Sequence, residues 1–536
     1  MKKVHLLILS VLSGVLMAAA WPARGFTPLI FVAWVPLFFI QQYLGNENKK
    51  GMFWYSWLAF FIWNVLTTFW IWNATQAGSI AAFALNSLFM AIVFQAFHLS
   101  KKWFFNNKRG WWILIFYWIS FEAFHMNWDL SWPWLTLGNV FATKHEWIQW
   151  YDITGTLGGS LWVLAANIAS FQIMNNLQHK KIMGVKINSA VFLLILFVPI
   201  VISKIEYNHY KETDHPVQVV VVQPNIDPYT EEFTLPADTI IARNLNQAKK
   251  VVTDSTDYIL LPESTIQEAI WEDALWRSQS LKTLKSFLMQ YPHMSIIVGA
   301  STFSWVKQGE KLTNAARLYK KGLYYYAYNT AFYLDHTQYI QVHHKSKLVP
   351  GVEEMPSWPI LAPLEHFAIN MGGIVGTLKT DDHLSLFTNN KEDYQICPLI
   401  CYESAYGDYV AQSVKAGAQI LFIITNDGWW GNTPGYRQHF LMAVLRAIET
   451  RRDVAQSATT GISGFINQRG DLLKQTKYKE AIAIKETLNL NSRLTFYVEH
   501  GDWLARGSTF ISALILLGSL VQGFMRRQQA NKKTEE

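Results

Sequence analysis

Hydrophobic positions are unevenly spread along this chain. Up to about residue 205 they gather in uninterrupted runs, and one further run stands near the C-terminus. The runs are Leu6–Ala20, Phe26–Leu44, Met52–Trp72, Ile80–Leu99, Trp111–Phe124, Gly158–Met174, Ala190–Ile205 and Phe510–Met525. A helix crossing a bilayer core needs about 20 apolar residues, and shorter ones are tolerated at a cost. The pattern therefore predicts eight membrane helices, with the shorter runs open to a re-entrant or buried reading. One very apolar soluble core does not explain so many consecutive runs split by short basic loops.

From Val217 the pattern changes. "VQVVVVQPN" is a continuous β-branched run that ends in turn residues, as in a strand buried on both faces. "YILLPES", "SIIVGAS", "NTAFYLD", "YQICPLICYE" and "QILFIITND" repeat the type. Helical patterns separate several of them, at Ala237–Val252, Ser280–Gln290 and Tyr406–Ala416. Strands alternating with helices predict a layered α/β domain, with its chemistry where strands end and loops begin. Three of these strands end in "PES", "CYES" and "TNDGWWG".

Charge orients the runs. Lys2 and Lys3 precede the first, Lys49 and Lys50 follow the second, and Lys101, Lys102, Lys108 and Arg109 follow the fourth. Lys180, Lys181 and Lys186 follow the sixth, and Arg526, Arg527, Lys532 and Lys533 follow the eighth. The alternate short loops carry little beyond Arg24 and Lys144. Basic loops stay inside, so both termini are expected in the cytoplasm and residues 206–506 on the outer side. This topology accounts for much of the net charge of +7, and no helix-turn-helix or finger spacing points to nucleic acid. The opening "MKKVHLLILSVLSGVLMAAAWPA" has the order of a signal peptide, but a second apolar run follows at once, so a retained first helix is expected. Trp128, Trp132, Trp134, Trp147 and Trp150 crowd the outward loop before the sixth run, as headgroup anchors would. Glu122, near the outer end of the fifth run, is an acid at membrane depth whose partner the sequence does not name.

The chain has two cysteines, Cys397 and Cys401. Along a strand, four residues span about 13 Å, too far for a disulfide unless the strand breaks. Their CxxxC spacing has no second ligand pair for zinc. Cys397 reads as strand filler. Cys401 stands where the apolar run gives way to Tyr402, Glu403 and Ser404, so it is placed to be reached, although free cysteine is more often filler. A nucleophilic thiol needs a base and an oxyanion donor. Glu263, Glu353 or Glu354, and Glu403 are candidate carboxylates, and Lys345 and Lys347 candidate cations. Each alone reads as a solvated surface residue. His343 and His344 are adjacent, so in extended chain they face opposite ways, and neither they nor His439 lie in a cysteine-protease context.

Taken in order, a strand ending Pro-Glu, a Lys with Leu three residues on, and a strand ending Cys-Tyr-Glu resemble the nitrilase superfamily of carbon–nitrogen hydrolases. With "LVP" after the lysine, "NDGWWG" after the cysteine, and seven apolar runs before and one after, the chain resembles the apolipoprotein N-acyltransferase family nearly end to end. "VVQPNI", "WPWLTLG", "YRQHFLMAVLRAIETRR" and "TTGISGFI" extend the likeness. The resemblance implies a multi-pass α-helical membrane domain of about eight helices plus an outward-facing nitrilase-like αββα sandwich. Its implied parts are membrane helices one to seven at 1–205, the catalytic domain at 206–506, and helix eight with a basic tail at 507–536.

The resemblance further implies Glu263 as general base, Lys345 as oxyanion stabiliser and Cys401 as nucleophile, supported by Glu353, Glu403, Tyr402 and Gly138. It implies transfer of an acyl chain from a phospholipid, through a thioester, to the N-terminal diacylglyceryl-cysteine of an apolipoprotein. It also implies a monomer in the bacterial inner membrane with its catalytic domain in the periplasm, and neither metal nor organic cofactor. Two departures stand out: the family's Leu-Val-Pro-Phe-Gly-Glu is "LVPGVEE" here, and an expected Lys-Trp pair is Glu232-Phe233. A membrane-tethered amidase using water and a non-catalytic nitrilase-like sensor are the rival expectations.

Overall fold

The computed structural model describes residues 1–354, 377–381, 383–389 and 392–535. The chain forms two compact units. The first comprises Met1–Phe69, Ser79–Asn208 and Asp502–Glu536, and the second Trp70–Gly78 with His209–Gly501.

Six described helices, lying wholly or mostly in the first unit, are long and apolar enough to cross a membrane, by length and composition. They are Lys3–Ala20, Thr27–Asn46, Gln76–Phe105, Thr156–Gln178, Ile182–His209 and Trp503–Arg526. The remaining two runs form shorter helices, Met52–Thr68 and Ile113–His125. Ile182–His209 buries only Ser203, so its apolar side chains face outward almost all round, as suits contact with lipid. Trp34, Trp63 and Trp118 fill the interior, with Trp34 edge-on to Trp118 at 4.6 Å. The tryptophan-rich loop is more buried than its expected anchoring role implies. Trp134 is 1% exposed, and the Trp128 indole donates to His125 Nδ1 at 2.8 Å.

The second unit is built on two sheets. One contains β1 (Pro216–Gln223), β2 (Tyr258–Leu260), β3 (Ile266–Trp271), β4 (Ser295–Trp305), β5 (Arg317–Lys320), β6 (Leu323–Leu334), β7 (Ile340–His344) and, at its edge, β14 (Ile482–Asn489). The other contains β8 (Phe387–Asn389), β9 (Tyr394–Ile400), β10 (Ala418–Thr425), β11 (Val454–Ala458), β12 (Gly464–Ile466) and β13 (Leu472–Gln475). All six strands expected from sequence form, and the expected helical patterns become Ala237–Ala248, Gln279–Leu288 and Gly407–Lys415. Ser278 starts the second of these, its hydroxyl accepting from Leu281 N at 3.1 Å.

The β-branched run of β1 shows why the layers stack. Val217, Val219 and Val221 face a core shared with Ile396, Ile420 and Phe422 of the other sheet. Val220 and Val222 face Ile241, Leu245 and Leu284 of the covering helices. Alternate residues thus bury both faces of one strand, giving a helix–sheet–sheet–helix sandwich.

Direction decides where the loops meet. β1, β2 and β4 are parallel, β6 is antiparallel to β4, and β7 is antiparallel to β6. β2 and β7 therefore point the same way, so the segments that leave them emerge at one edge of the sheet. β9 and β10 are parallel in the other sheet. Gly299 lets β4 lie against the segment after β2, since a Cβ there would come within 2.0 Å of the Glu263 carbonyl oxygen. Gly299→Ala should therefore destabilise the protein by about 1–3 kcal/mol and lower its thermal midpoint in detergent. Gly507→Ala, with open space around the added carbon, should not; equal behaviour of the two variants would refute the close approach.

Candidate active site

The three residues of the second unit expected to carry the chemistry lie just beyond strands. Glu263 follows β2, Lys345 follows β7, and Cys401 follows β9 at a backbone turn with φ of 49°, the left-handed region that costs a side-chain-bearing residue about 1–2 kcal/mol. The Lys345 ammonium is buried and lies 3.2 Å from Glu263 Oε1 and 2.8 Å from Glu353 Oε1. Burial disfavours its charge, but Glu263 and Glu353 outweigh that and hold its pKa well above the usual lysine range. Asn329 of β6 donates to the same two carboxylates, at 2.7 Å and 3.2 Å. The other Glu263 oxygen accepts from Asn426 N at 3.0 Å, and the other Glu353 oxygen accepts from Val349 N at 2.9 Å. Glu353 is thus the glutamate that reaches the lysine. Glu354 lies beside it in the chain, and its backbone carbonyl accepts from Gly351 N at 2.8 Å.

Cys401 is partly accessible and not disulfide-bonded. Burial of its sulfur and the nearby Glu263 carboxylate push the thiol pKa well up, with Lys345 opposing them. The resting group is therefore a thiol, and it needs a base at the moment of attack. Cys397 is buried inside β9, and burial pushes its pKa up to about 12.

Glu403 is fully buried and ties the site together. Its oxygens accept from Ser346 N at 2.7 Å and Ile400 N at 2.6 Å, so one carboxylate links the lysine loop to the cysteine turn. His343 Nε2 meets it at 3.1 Å. Burial would raise the Glu403 pKa, but His343 and these backbone donors lower it on balance. The two adjacent histidines do diverge. His344 lies between Asp381 at 2.6 Å and Glu272 at 2.7 Å, and despite burial these carboxylates raise its pKa to about 9. Tyr402 is buried with its ring edge-on to Tyr406 at 5.1 Å. Gly138 belongs to the first unit, where Tyr151 Oη donates to its carbonyl at 2.9 Å and an added Cβ would come within 2.0 Å of Thr156 O.

Among the described residues, one group of metal-ligating type is close enough to share an ion: Cys401, Asp427 and His439, whose ligand atoms lie within 4.8 Å of one another. Both nitrogens of His439 are already hydrogen-bonded, Nδ1 to Asp427 and Nε2 to Ser404 and the Cys401 carbonyl. A metal would have to displace these bonds.

Residues 218–493 match the carbon–nitrogen hydrolase family, and residues 13–169 match the apolipoprotein N-acyltransferase N-terminal domain. The chain belongs to the carbon–nitrogen hydrolase family. An apolipoprotein N-acyltransferase of Chlorobaculum tepidum is 27% identical over 529 residues, covering 96% of each chain. One of Geobacter metallireducens is 25% identical, covering 95% of this chain and 94% of its own. Among solved structures, Saccharomyces cerevisiae Nit3, of the nitrilase superfamily, is 14% identical with a TM-score of 0.37, covering 52% of this chain and 93% of its own.

Sequence reasoning missed three neighbours of the carboxylates. Asn329 opens "NTAFYLD" and lies in the middle of β6, with no local signal. Asn426 was visible only as part of a polar strand tip. Glu232, noted only as a departure from the family, is buried and accepts from Asn426 Nδ2 at 2.6 Å. One asparagine therefore touches Glu232 through its side chain and Glu263 through its backbone. Burial chiefly, with the Glu263 and Asp227 charges, raises the Glu232 pKa to about 8, so at neutral pH it is an uncharged neighbour of Glu263.

The unfolded chain releases the Glu232 proton near the ordinary value of 4.5, whereas the folded protein keeps it to higher pH. The associated stability is present below the unfolded value and is lost as pH rises through the folded one. Glu232→Gln keeps the Asn426 contact and removes that loss. It should stabilise the protein by about 2–4 kcal/mol at pH 8 and little at pH 5, read as thermal midpoints in detergent. The same shift at both pH values would show that Glu232 does not titrate in this way.

Proposed function

We propose that this protein transfers a fatty-acyl chain from a phospholipid to the α-amine of the diacylglyceryl-modified N-terminal cysteine of an apolipoprotein, through a thioester on Cys401. The observation that carries the reading is the buried Lys345 ammonium, set between Glu263 and Glu353 near a raised-pKa thiol, in a chain whose near-full-length relatives are named for this activity.

In the first half-reaction Glu263 takes the thiol proton as sulfur attacks the ester carbonyl. Two of the three ammonium protons of Lys345 face Glu263 and Glu353, leaving the third for the oxyanion. The tetrahedral intermediate collapses, Glu263 returns the proton to the departing lysophospholipid alcohol, and the thioester remains. In the second half-reaction the neutral amine attacks the thioester, Glu263 takes a proton from nitrogen, and the amide forms as the thiol is regenerated. A ping-pong sequence of this kind divides one difficult step into two easier ones. Glu353 and Glu403 hold the lysine and the cysteine turn. Tyr402 packs behind the nucleophile, and Gly138 serves the pre-span loop of the membrane part.

Donor and acceptor are both lipids, which suits an enzyme of the bacterial inner membrane. In this reading 1–205 and 507–536 form the membrane part, 206–506 lies in the periplasm, both termini are cytoplasmic and the protein acts as a monomer. The alternation of strongly basic loops with loops that carry few basic residues supports the orientation.

Intact-protein mass spectrometry after incubation with phospholipid alone tests the chemistry. A fatty-acyl increment should appear on the peptide holding Cys401, with lysophospholipid released. Cys401→Ala should abolish it and lower transfer by on the order of 10³-fold or more, while Cys397→Ser should keep both. Equal loss in the two variants would overturn the nucleophile assignment. Ammonia release from small amides without acylation by phospholipid would mark a hydrolase instead.

A further inference from the structure

Lys345 is not the only basic group walled in near Cys401. His439 lies on the helix Pro434–Thr450, and it and Asp427 are fully buried. Its Nδ1 is 2.9 Å from Asp427 Oδ1, and its Nε2 is 3.1 Å from the Cys401 carbonyl oxygen and 3.0 Å from Ser404 Oγ. A carbonyl and an ionised carboxylate can only accept. The Ser404 hydroxyl lies 2.8 Å from the same Cys401 carbonyl and is placed to donate to it, and Asp427 Oδ1 accepts from Thr425 Oγ1 at 2.8 Å.

These contacts constrain the protons on the ring. A neutral ring protonated at Nδ1 sets the bare Nε2 lone pair against the Cys401 oxygen. A neutral ring protonated at Nε2 sets the Nδ1 lone pair against Asp427. The doubly protonated ring meets both acceptors with N–H donors while leaving Asp427 ionised. Burial opposes that charge, but Asp427, the Cys401 carbonyl and the more distant Glu263 outweigh it and raise the pKa. The Trp430 ring closes one side, edge-on at 5.8 Å.

Asp427 also acts on the thiol. Its carboxylate lies within 4.8 Å of the Cys401 sulfur and pushes the thiol pKa up, against the chemistry a nucleophile needs. A cation paired to it cancels that push. We propose that His439 is a positioning residue for the nucleophile, held as an imidazolium whose Nε2–H fixes the Cys401 carbonyl in its left-handed turn and whose charge offsets Asp427 beside the thiol. In a trans peptide the N–H of Tyr402 points opposite to that carbonyl, so the same hydrogen bond also sets the direction of the first backbone donor after the nucleophile. The inference rests on Cys401 being the nucleophile, as proposed above.

Alkylation of the full-length protein in detergent by iodoacetamide, followed at the Cys401 peptide by mass spectrometry across about pH 6–10, tests it. His439→Gln should move the rate profile to higher pH and slow alkylation on the order of tenfold at about pH 7.5, because Asp427 is then unopposed. The double variant His439→Gln/Asp427→Asn should recover most of that loss. An unmoved profile in the single variant, or no recovery in the double, would overturn the proposal. In nitrogen-15 NMR of histidine-labelled protein, with the His439 signals assigned by their loss in His439→Gln and so told apart from those of His344, an imidazolium that persists above the ordinary histidine value of 6.5 is expected, and a neutral His439 would overturn it. Alkylation reads the thiol whatever the acyl donor. A moved profile without acylation by phospholipid would therefore sink the functional reading and leave this one standing.

Discussion

A buried ammonium cannot stand alone, and the sandwich unit depends on meeting that constraint at Lys345. Its side chain is 2% exposed, and those of Glu263 and Glu353 are 10% and 15% exposed. Removing an ion from water costs several kcal/mol, recovered only with close partners and satisfied hydrogen bonds. Here the ammonium's two carboxylates and the groups that hold them come from different stretches of chain: Glu263 after β2, Glu353 eight residues on, and, donating to those carboxylates, Asn329 from β6 and Asn426 after β10. The charge can be buried only if all these stretches are held in place. The same placement sets a carboxylate, an ammonium and a thiol near one another.

The electrostatics also settle an order of events. Two carboxylates around one ammonium leave the cluster net negative, and burial together with Glu263 keeps the Cys401 proton on sulfur at rest. A permanently formed thiolate beside Glu263 would add a further anion to a poorly solvated site. Glu232, uncharged at neutral pH, avoids the same accumulation on the other side of Asn426. In the proposed mechanism such a site stores no reactive anion and makes one only when an electrophile arrives. That suits the proposed chemistry, in which water must not compete for the thioester.

Much of the layout was legible because local signals carry it. Strand runs, helical spacing and turn residues are properties of neighbouring positions, and Cys401 differs from Cys397 by standing at the end of a run. Residues whose role depends on convergence were not legible. Asn329 is one polar position in an apolar strand, and its value comes from two glutamates 66 and 24 positions away. Glu232 stood out only as a departure from the family's Lys-Trp pair, yet it is buried against Asn426, 194 positions away. His439 gave no protease-like context because its partners are a backbone carbonyl and an aspartate rather than a thiol.

The apolar unit shows the same division. Composition marks its helices, but not how its non-helical backbone is accommodated. Residues 133–141 run as two short 3-10 helices, Pro133–Leu135 and Leu137–Phe141, and polar backbone in an apolar surround is tolerated only with internal partners. Glu122 accepts from Leu137 N at 2.8 Å and Trp118 Nε1 at 2.9 Å, Ser160 Oγ accepts from Gly138 N at 3.1 Å, and Tyr151 Oη donates to Gly138 O. The acid whose partner the sequence did not name is thus a receptor for backbone N–H. Gly138 has to be small because Thr156 O lies where its Cβ would be. Both "WPWLTLG" and Glu122 then belong to one packing solution: an irregular segment made compatible with an apolar surround by giving its polar backbone internal partners.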